Sequence, residues 1–457
     1  MLFGVIFMNK AAEREELKLS DHFTYKRLIR FVIPSIVMMI FTSIYGVVDG
    51  LFVSNFVGKT EFASLNLIMP MIMVFGAVGF MIGTGGSALV AKPLGEGDKD
   101  RANRYFTLLI VFDLVVGIVI SAIGMIIIEP VAILLKADAE MLPFCVLYGR
   151  IVLAFQPAFM LQNAFQSFLI TAEKPKFGLV VTVCAGVTNM ILDLLLVGII
   201  PLGLTGAAFA TGISQCVGGL IPLFYFLREN NSLLQLRRTK FELRPLLKAC
   251  ANGSSELMSN ISMSVVGMLY NLQLMDYIGQ DGVSAYGVIM YVNFIFVAFF
   301  IGYSIGAAPI VGFHFGAGNT DELKSLLKKS LTIVAVVGLV MTALAEGLAY
   351  PLTKLFVGYD EALFQLTRRG FMLYSLSFLI CGYNIFGSAF FTALNNGGVS
   401  AAISFLRTLV FQVSALFILP LFWEADGIFF AIVVAEMLAG VLTTIFLLAK
   451  RKKYSYF

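Results

Sequence analysis

Residues 62–100 read "FASLNLIMPMIMVFGAVGFMIGTGGSALVAKPLGEGDKD", and residues 283–321 read "VSAYGVIMYVNFIFVAFFIGYSIGAAPIVGFHFGAGNTD". Placed over each other without a gap, the two stretches share several glycines and a final aspartate: Gly85, Gly95, Gly97 and Asp100 align with Gly306, Gly316, Gly318 and Asp321. The same constant offset in numbering also aligns Asn163 with Asn384. Chance identities do not keep one register over such a distance, so the chain contains two copies of one unit.

The composition indicates a membrane protein. Of the 457 residues, 59% are hydrophobic and 13% are charged, whereas a soluble domain carries about 25% charged residues. A membrane-spanning helix needs about 20 mainly apolar residues. Twelve such runs occur, at about 25–55, 63–91, 105–128, 143–171, 177–200, 204–227, 250–277, 284–314, 328–350, 363–393, 399–420 and 427–449. They lack the alternation over about 10 residues that barrel strands show, so we predict an all-α polytopic protein.

Each copy of the unit contains six of the twelve runs, and an even number gives both copies the same direction across the membrane. The sequence therefore predicts two parallel six-helix repeats, an arrangement that one class of transporters uses. The predicted organisation is an N-terminal segment, two lobes, a charged linker between them and a tail: 1–24, 25–227, 228–248, 249–450 and 451–457. The opening "MLFGVIF" is too short for the apolar core of a signal peptide, and we interpret it as a ragged terminus.

Lys and Arg are unevenly distributed between the two sides of the predicted bundle. Of the 32, 25 lie in the segments 1–30, 92–104, 174–176, 228–248, 324–329 and 450–453. Connections rich in Lys and Arg face the cytoplasm, so both termini are predicted to be cytoplasmic. The net charge of +4 reflects this bias and does not indicate a nucleic-acid partner.

Each copy has a glycine-rich turn after its second run, "GEGDKD" at 95–100 and "GAGNTD" at 316–321. Glycine followed by Asp or Asn is typical of a turn that leads into a helix N-cap. A phosphate-binding loop would end in Lys-Ser or Lys-Thr, which is absent here. We therefore predict a structural turn at both places.

Two acidic residues lie inside predicted spans of the first copy only. Asp49 aligns with Tyr270, and Asp193 aligns with Ser414. A carboxylate at bilayer depth costs about 2.5–3.5 kcal/mol on insertion scales, so something must offset that cost. A role common to both copies would require matching acids, and the asymmetry favours a specialised site in the first lobe.

Two further oxygen-bearing side chains accompany these acids. Asn189 lies four residues before Asp193 and therefore shares a helix face with it, and Thr211 lies about two turns inside the next span. Such a set of oxygens can hold Na⁺, or one carboxyl can bind a proton because the other raises its pKa. The alternative is that each acid simply bonds neighbouring backbone or hydroxyl groups.

Other polar residues within the spans have several interpretations. Gln162 and Gln166, one turn apart, either line a pocket or join helices. For Asp113 we find no predicted partner, and a water-filled cavity and a headgroup location are equally compatible. Glu256 suits the start of a helix, where an acid complements the helix dipole. The remaining polar residues are Arg407 and Glu436, a conceivable pair, and His314, expected at the interface.

An enzyme is not indicated. The two histidines, His22 and His314, are far apart in sequence. No cluster with metal-ligand spacing and no nucleophile motif occurs. We predict no catalytic residues, no metal site beyond a possible Na⁺ site, and no cofactor.

Several motifs together resemble the multidrug and toxic compound extrusion (MATE) family, near its bacterial MepA-like branch. They are "VDGLFVSNFVG" (48–58), "GTGGSALVAKPLGEGD" (83–98), "NMILDLLL" (189–196) followed by "GLTGAA" (203–208), and "GAAPIVGFHFGAGN" (306–319). The resemblance implies a V-shaped pair of lobes and antiport of organic cations against Na⁺ or H⁺. We expect the protein to lie in the plasma membrane of a bacterium and to be monomeric.

The resemblance assigns roles to individual residues. The first-lobe cation site of the family coincides with Asp49, Asn189, Asp193 and Thr211. Pocket positions coincide with Thr42, Gln162 and Gln166, and a proline that bends the first helix coincides with Pro34, where a helix loses a hydrogen bond. Some branches place essential acids in the seventh and tenth spans. The tenth span here has no mid-membrane acid, so coupling is expected in the first lobe.

Two other classes of function are less compatible with the sequence. A flippase for lipid-linked precursors would need several Arg or Lys in the cavity to bind pyrophosphate, but Arg407 is the one clear mid-membrane base. A membrane scaffold or receptor would not need an acid pair in one half alone. The choice between Na⁺ and H⁺ stays open, because oxygen ligands serve both.

Overall fold

The computed structural model describes residues 17–200 and 202–457; the stretch interpreted as a ragged terminus lies outside these residues. The described part is helical, without strands. Its α-helices are α1 (Tyr25–Phe56), α2 (Lys59–Gly95), α3 (Lys99–Leu134), α4 (Met141–Ala154), α5 (Gln156–Thr171), α6 (Pro175–Asp193), α7 (Gly203–Leu227), α8 (Leu243–Tyr277), α9 (Gln280–Gly316), α10 (Thr320–Val357), α11 (Glu361–Ser375), α12 (Phe378–Ala393), α13 (Gly397–Phe405), α14 (Gln412–Ile418) and α15 (Pro420–Tyr454). Two π-helical turns, Leu194–Ile199 and Leu406–Phe411, extend α6 and join α13 to α14. The predicted all-α polytopic class is confirmed.

By length and composition, the described residues contain nine helices that could cross a membrane, or eleven when each bent pair counts as one span. The bent pairs are α4 with α5 and α11 with α12. The predicted span at 250–277 belongs to α8, a 35-residue helix. It is long enough to cross a bilayer, but it carries more polar residues than the other spans, including Asn252, Ser255 and Asn260.

The repeat extends to breaks inside the helices. The fourth span bends by 54° at Phe155, and the tenth bends by 46° at Leu376 and Ser377. Phe155 and Leu376 occupy equivalent positions in the two copies, at the offset that aligns Gly85 with Gly306. Both halves therefore share one backbone design.

The two glycine-rich turns also match. Gly97 and Gly318 have φ values of 83° and 68°, in the left-handed region that glycine adopts without strain. The following Asp98 accepts a hydrogen bond from the Arg101 N–H at 2.9 Å, and Asn319 accepts one from the Glu322 N–H at 3.1 Å. The predicted turns and N-caps are confirmed.

The two lobes meet at one end of the bundle, which we call the basic end because it carries Lys92, Lys248 and the linker. There α2 crosses α8 and α9, and α1 crosses α9. A side chain at Gly95 would overlap the Phe313 carbonyl, and one at Gly316 would overlap the Lys92 carbonyl. Lys92 and Phe313 are themselves one repeat apart, so the two contacts are related by the internal symmetry.

A segment before α1 lies across the basic end and contacts both lobes. Leu19 and Phe23 are fully buried. The Leu19 N–H donates to Glu173 Oε1 of the first lobe at 2.6 Å, and the Phe23 N–H donates to Glu322 Oε1 of the second at 2.8 Å. His22 Nδ1 lies 2.5 Å from the other oxygen of Glu322. The segment therefore fastens the two lobes together.

The location predicted for His314 is wrong in one respect. The residue lies at the end of α9, as expected, but its side chain is only 3% exposed. The Phe23 ring packs against it edge-on. The segment before α1 covers a position that would otherwise face the membrane surface.

The linker packs closely on the first lobe. Its Leu234 is fully buried, the Gln235 N–H donates to Asn103 Oδ1 at 2.8 Å, and the Arg237 N–H donates to Thr107 Oγ1 at 2.9 Å. The last six residues of the predicted 228–248 linker form the start of α8. The extended part of the connection is correspondingly shorter than the sequence indicated.

Candidate functional site

Three of the four residues predicted for the first-lobe site come together. Asp49 lies on α1, and Asn189 and Asp193 lie one turn apart on α6. The Asp49 carboxyl lies close to both the Asp193 carboxyl and the Asn189 amide. Because α1 packs along α6, the i, i+4 pair on α6 faces the single acid on α1.

The oxygens of this group lack internal partners. Asp49 Oδ1, Asn189 Oδ1 and both carboxyl oxygens of Asp193 are buried and accept no hydrogen bond from the described residues. Buried polar atoms are almost always paired, and adjacent carboxylates repel strongly where the dielectric constant is low. Bonds to backbone or hydroxyl groups, the alternative interpretation, are not seen for Asp193. The donor set suits a shared proton or a small hard cation.

Thr211, the fourth predicted residue, lies near a tyrosine that the sequence did not indicate as part of the site. The Tyr148 hydroxyl on α4 lies near Thr211, Asp49 and Asp193. Tyr148 is 1% exposed. Its position before the break in the fourth span suggests a functional role only weakly. Nothing in the sequence indicated that it lies close to residues of α1 or α6.

Of the predicted pocket residues, Gln162 lies near a tyrosine beside the acids. Tyr45 is one turn before Asp49 on α1, and its hydroxyl lies near the Gln162 amide. Gln162 also fills the space beside Gly218 of α7. The spacing of Tyr45 and Asp49 could have revealed this contact, since residues four apart share a helix face.

The other pocket residues are placed differently. Gln166 is buried, and its Oε1 has no partner among the described residues. Thr42 Oγ1 donates to the Met38 carbonyl of its own helix at 2.9 Å. Pro34 lies within α1, which continues unbroken on both sides of it. Their roles in a pocket and in a bend therefore stay predictions.

Two further buried amides near the site were not singled out from the sequence. Gln156 begins α5 at the break in the fourth span, is fully buried, and has no partner for either amide atom in the described part of the chain. Gln215 lies one turn after Thr211 on α7, and its Oε1 is likewise unpaired there. With Gln162 and Gln166 they make four buried amides on α5 and α7 of the first lobe.

The backbone next to Asp193 is irregular. The π-helical turn Leu194–Ile199 begins at the following residue. Such turns insert an extra residue into a helix and occur frequently at functional sites. The second π-helical turn, Leu406–Phe411, contains Arg407, so both irregular turns lie at buried charges.

The second lobe holds an ion pair that the sequence left open. Arg407 Nη2 lies 2.7 Å from Glu436 Oε1, and Asn384 Nδ2 donates to the other oxygen of Glu436 at 2.7 Å. Thr443 donates to Asn384 at 3.1 Å. Glu436 is buried, the Arg407 side chain is 17% exposed, and the pair is hydrogen-bonded, as a charge within the membrane requires.

Two interpretations of single acids are wrong. Glu256 does not cap a helix start, because α8 begins at Leu243 and places it more than three turns inside, near Arg407. The polar turn before the apolar run is helical, and hydropathy alone could not detect that. Asp113 faces neither a headgroup region nor an open cavity: it is fully buried, and neither oxygen has a hydrogen-bond partner among the described residues.

The family profile described as MatE matches residues 34–195 and 257–418. The chain belongs to the MatE family. The two matched stretches begin at residues 34 and 257, close to one repeat apart. As a member of this transporter family, the protein is a multi-span membrane transporter and not an enzyme, as predicted.

Curated relatives in the MatE family include the multidrug export protein MepA of Staphylococcus saprophyticus, 24% identical over 432 residues, which span 91% of this chain and 92% of that relative. The MepA of Staphylococcus haemolyticus is 23% identical over 437 residues, 94% of each chain. The predicted resemblance to MepA-like proteins is confirmed.

Solved structures show the same fold. A MATE family transporter in an outward-facing conformation superposes with a TM-score of 0.91 at 20% identity, over 97% of this chain and 99% of that one. A transporter from Pyrococcus furiosus, described as having a binding pocket of reverse polarity, has a TM-score of 0.89 at 20% identity, over 97% and 100%. Solved transporters whose pockets are described differently thus share this architecture.

Proposed function

We propose that the protein is a secondary active multidrug antiporter that exports organic cations in exchange for Na⁺ or H⁺. The observation that carries the proposal is the adjacent acid pair of the first lobe, Asp49 and Asp193, with its unpaired buried oxygens. The names of the MepA relatives support multidrug export. The coupling ion would bind at these two carboxyls, with Asn189 and Thr211 supplying further oxygens.

The expected transport cycle opens and closes the contacts between the two lobes at the basic end. With the basic end on the cytoplasmic side, as the Lys and Arg distribution predicts, the contacts at Gly95, Gly316 and Leu19 close the cytoplasmic side. The ion then reaches Asp49 and Asp193 from outside and displaces the organic cation. Binding of the ion would bend α1 at Pro34. The bend would alter the pocket lined by Thr42, Gln162 and Gln166.

The membrane potential supplies part of the driving force. An inward-moving monovalent cation gains about 2.3 kcal/mol per 100 mV. Because about 1.4 kcal/mol corresponds to a factor of ten, each net positive charge that moves inward per cycle sustains more than a tenfold gradient of the exported cation. The expected setting is the plasma membrane of a bacterium, with cytoplasmic termini and a monomeric protein.

The flippase hypothesis loses its support. Its pyrophosphate-bearing ligand would need free basic side chains within the spans. Arg407 is paired with Glu436 at 2.7 Å and lies inside the second lobe, so it is not free to bind a pyrophosphate.

The test is efflux of a fluorescent organic cation from energised cells that express wild type or Asp193→Asn at equal membrane abundance. We expect export by wild type and its loss in the variant. The matched control is Asp113→Asn, a buried acid of the same lobe outside the site, which should retain export. Normal export by Asp193→Asn would refute the coupling site, and no export by wild type would refute the proposed transport.

The coupling ion is tested in proteoliposomes under an imposed Na⁺ gradient or an imposed pH gradient. The gradient that drives uptake in wild type and fails in Asp193→Asn identifies the ion. A gradient that drives the variant equally well cannot act through this carboxyl.

A further inference from the structure

A cavity of about 270 Å³ lies at the basic end, where the two lobes meet. The end of α2 and the start of α3 form one wall, and the start of α8 forms the other. Six charged residues line it: Lys92, Glu96, Arg101, Glu242, Arg244 and Lys248. Four bases and two acids leave a net charge of +2, so the cavity is suited to an anion.

Neither Glu96 nor Glu242 forms an ion pair with Arg244 or Lys248 among the described residues. Glu96 is engaged on its own side, by Arg101 and, at 3.7 Å, by Lys92. Arg244 and Lys248, one turn apart on α8, form no ion pair among the described residues. Burial and the like charge of Lys92 both lower the pKa of Lys248. Cations from both lobes thus face one cavity without a sufficient counter-charge.

The surroundings of the cavity are apolar and exposed. Leu243 and Leu247, one turn apart on α8, are 56% and 60% exposed, and Phe241 just before them is 75% exposed. A helix that presents basic and apolar side chains on adjacent faces at the end of a span is typical of the lipid headgroup region. Acyl chains beside Leu243 and Leu247 would bring a headgroup to the cavity mouth.

We propose that this cavity binds the phosphate of an anionic phospholipid. An Arg guanidinium offers paired donors that match phosphate oxygens, and Lys contributes a point charge. Basic pockets between spans on the cytoplasmic side commonly bind such headgroups. Because Lys92 and Arg101 belong to the first lobe and Arg244 and Lys248 to the second, the bound phosphate ties the lobes together at the closed end.

The experiment is native mass spectrometry of the full chain in detergent after titration with phosphatidylglycerol or phosphatidylcholine. We expect wild type to retain phosphatidylglycerol selectively. Arg244→Gln with Lys248→Gln should weaken retention about twenty-fivefold, since one cation at a membrane surface contributes about fivefold. The matched control, Arg238→Gln with Lys240→Gln, makes the same charge change in the exposed linker outside the cavity and should retain the lipid.

Three results would overturn the proposal. They are equal retention in both double variants, equal loss in both, and displacement of the lipid from wild type by millimolar inorganic phosphate, which would identify free phosphate as the ligand. If the α8 double variant does not fold, the single change Lys248→Gln at an exposed side chain takes its place, with about a fivefold loss expected against Lys240→Gln.

Discussion

The carboxyl groups of Asp49 and Asp193 face each other inside the first lobe, and hydroxyls complete their surroundings. Tyr148 contacts Thr211, and Tyr45 contacts Gln162. These tyrosines hold the side chains around the acids in place without contributing charge. Substitution of either tyrosine should lower the rate of transport, and transport should still depend on the ion gradient.

Tyr148→Phe removes one buried hydroxyl and keeps the ring. Loss of one polar interaction of this kind costs about 1 kcal/mol, so we expect dye efflux to fall about fivefold and coupling to persist. The measurement is the initial efflux rate at equal membrane abundance. An unchanged rate would show that the contact with Thr211 is incidental to transport.

In the second lobe, the ion pair of Arg407 and Glu436 makes a different prediction. Removal of one partner of a buried pair costs about 3–5 kcal/mol, whereas removal of both costs far less. Arg407→Gln should therefore lower the melting temperature in detergent more than the double change Arg407→Gln with Glu436→Gln. Additive losses in the double variant would contradict a direct pair.

At the scale of helices, close crossings decide which contacts between the lobes can form. At the crossing of α2 and α8, a side chain at Gly253 would overlap the Met81 carbonyl. The breaks in the fourth and tenth spans and the two π-helical turns place irregular backbone beside the buried polar groups. Regular helices thus pack closely where the lobes meet at the basic end. The buried polar groups lie beside breaks and π-helical turns.

Gly253→Val should force α2 and α8 apart at the basic end. We expect faster labelling of a cysteine introduced at Ser255 and loss of efflux, because the closed end would no longer form. Gly267→Val, on the same helix but with open space around it, is the matched control. Equal labelling in the two variants would show that this crossing does not hold the lobes together.

At the scale of the whole molecule, the segment before α1 joins the lobes and adds a dependence on pH. Burial raises the pKa of Glu173, while the Leu19 N–H and the nearby Lys18 and Lys174 oppose the rise and Asp21 adds to it. The closed state therefore binds a proton at Glu173 more readily than a state with this carboxyl in water. Stability of the closed end should rise as pH falls through the raised pKa, and decrease as pH increases.

The measurement is the distance between spin labels on the two lobes at the basic end, from pH 7.5 to pH 4.5. Wild type should close further on acidification, and Glu173→Gln, which is always neutral, should lose that dependence. Retention of the full pH response in Glu173→Gln would show that Glu173 is not its source.

The sequence by itself determined the spans, the twofold repeat, the turns at Gly97 and Gly318, and the acids present in one half only. These features depend on hydropathy, periodicity and register, which follow from the order of residues along the chain and not from contacts between helices. Helix ends were less predictable, as α8 shows, because a polar turn can continue a helix beyond its apolar run.

Only the tertiary structure decided which buried side chains meet. It joined Asp49 to Asp193, brought Tyr148 to Thr211, paired Arg407 with Glu436, and buried His314 beneath Phe23. Such contacts depend on how each helix is rotated about its axis and where its backbone breaks. A bend of 54° or a π-helical turn changes that rotation, and neither has a signature in hydropathy.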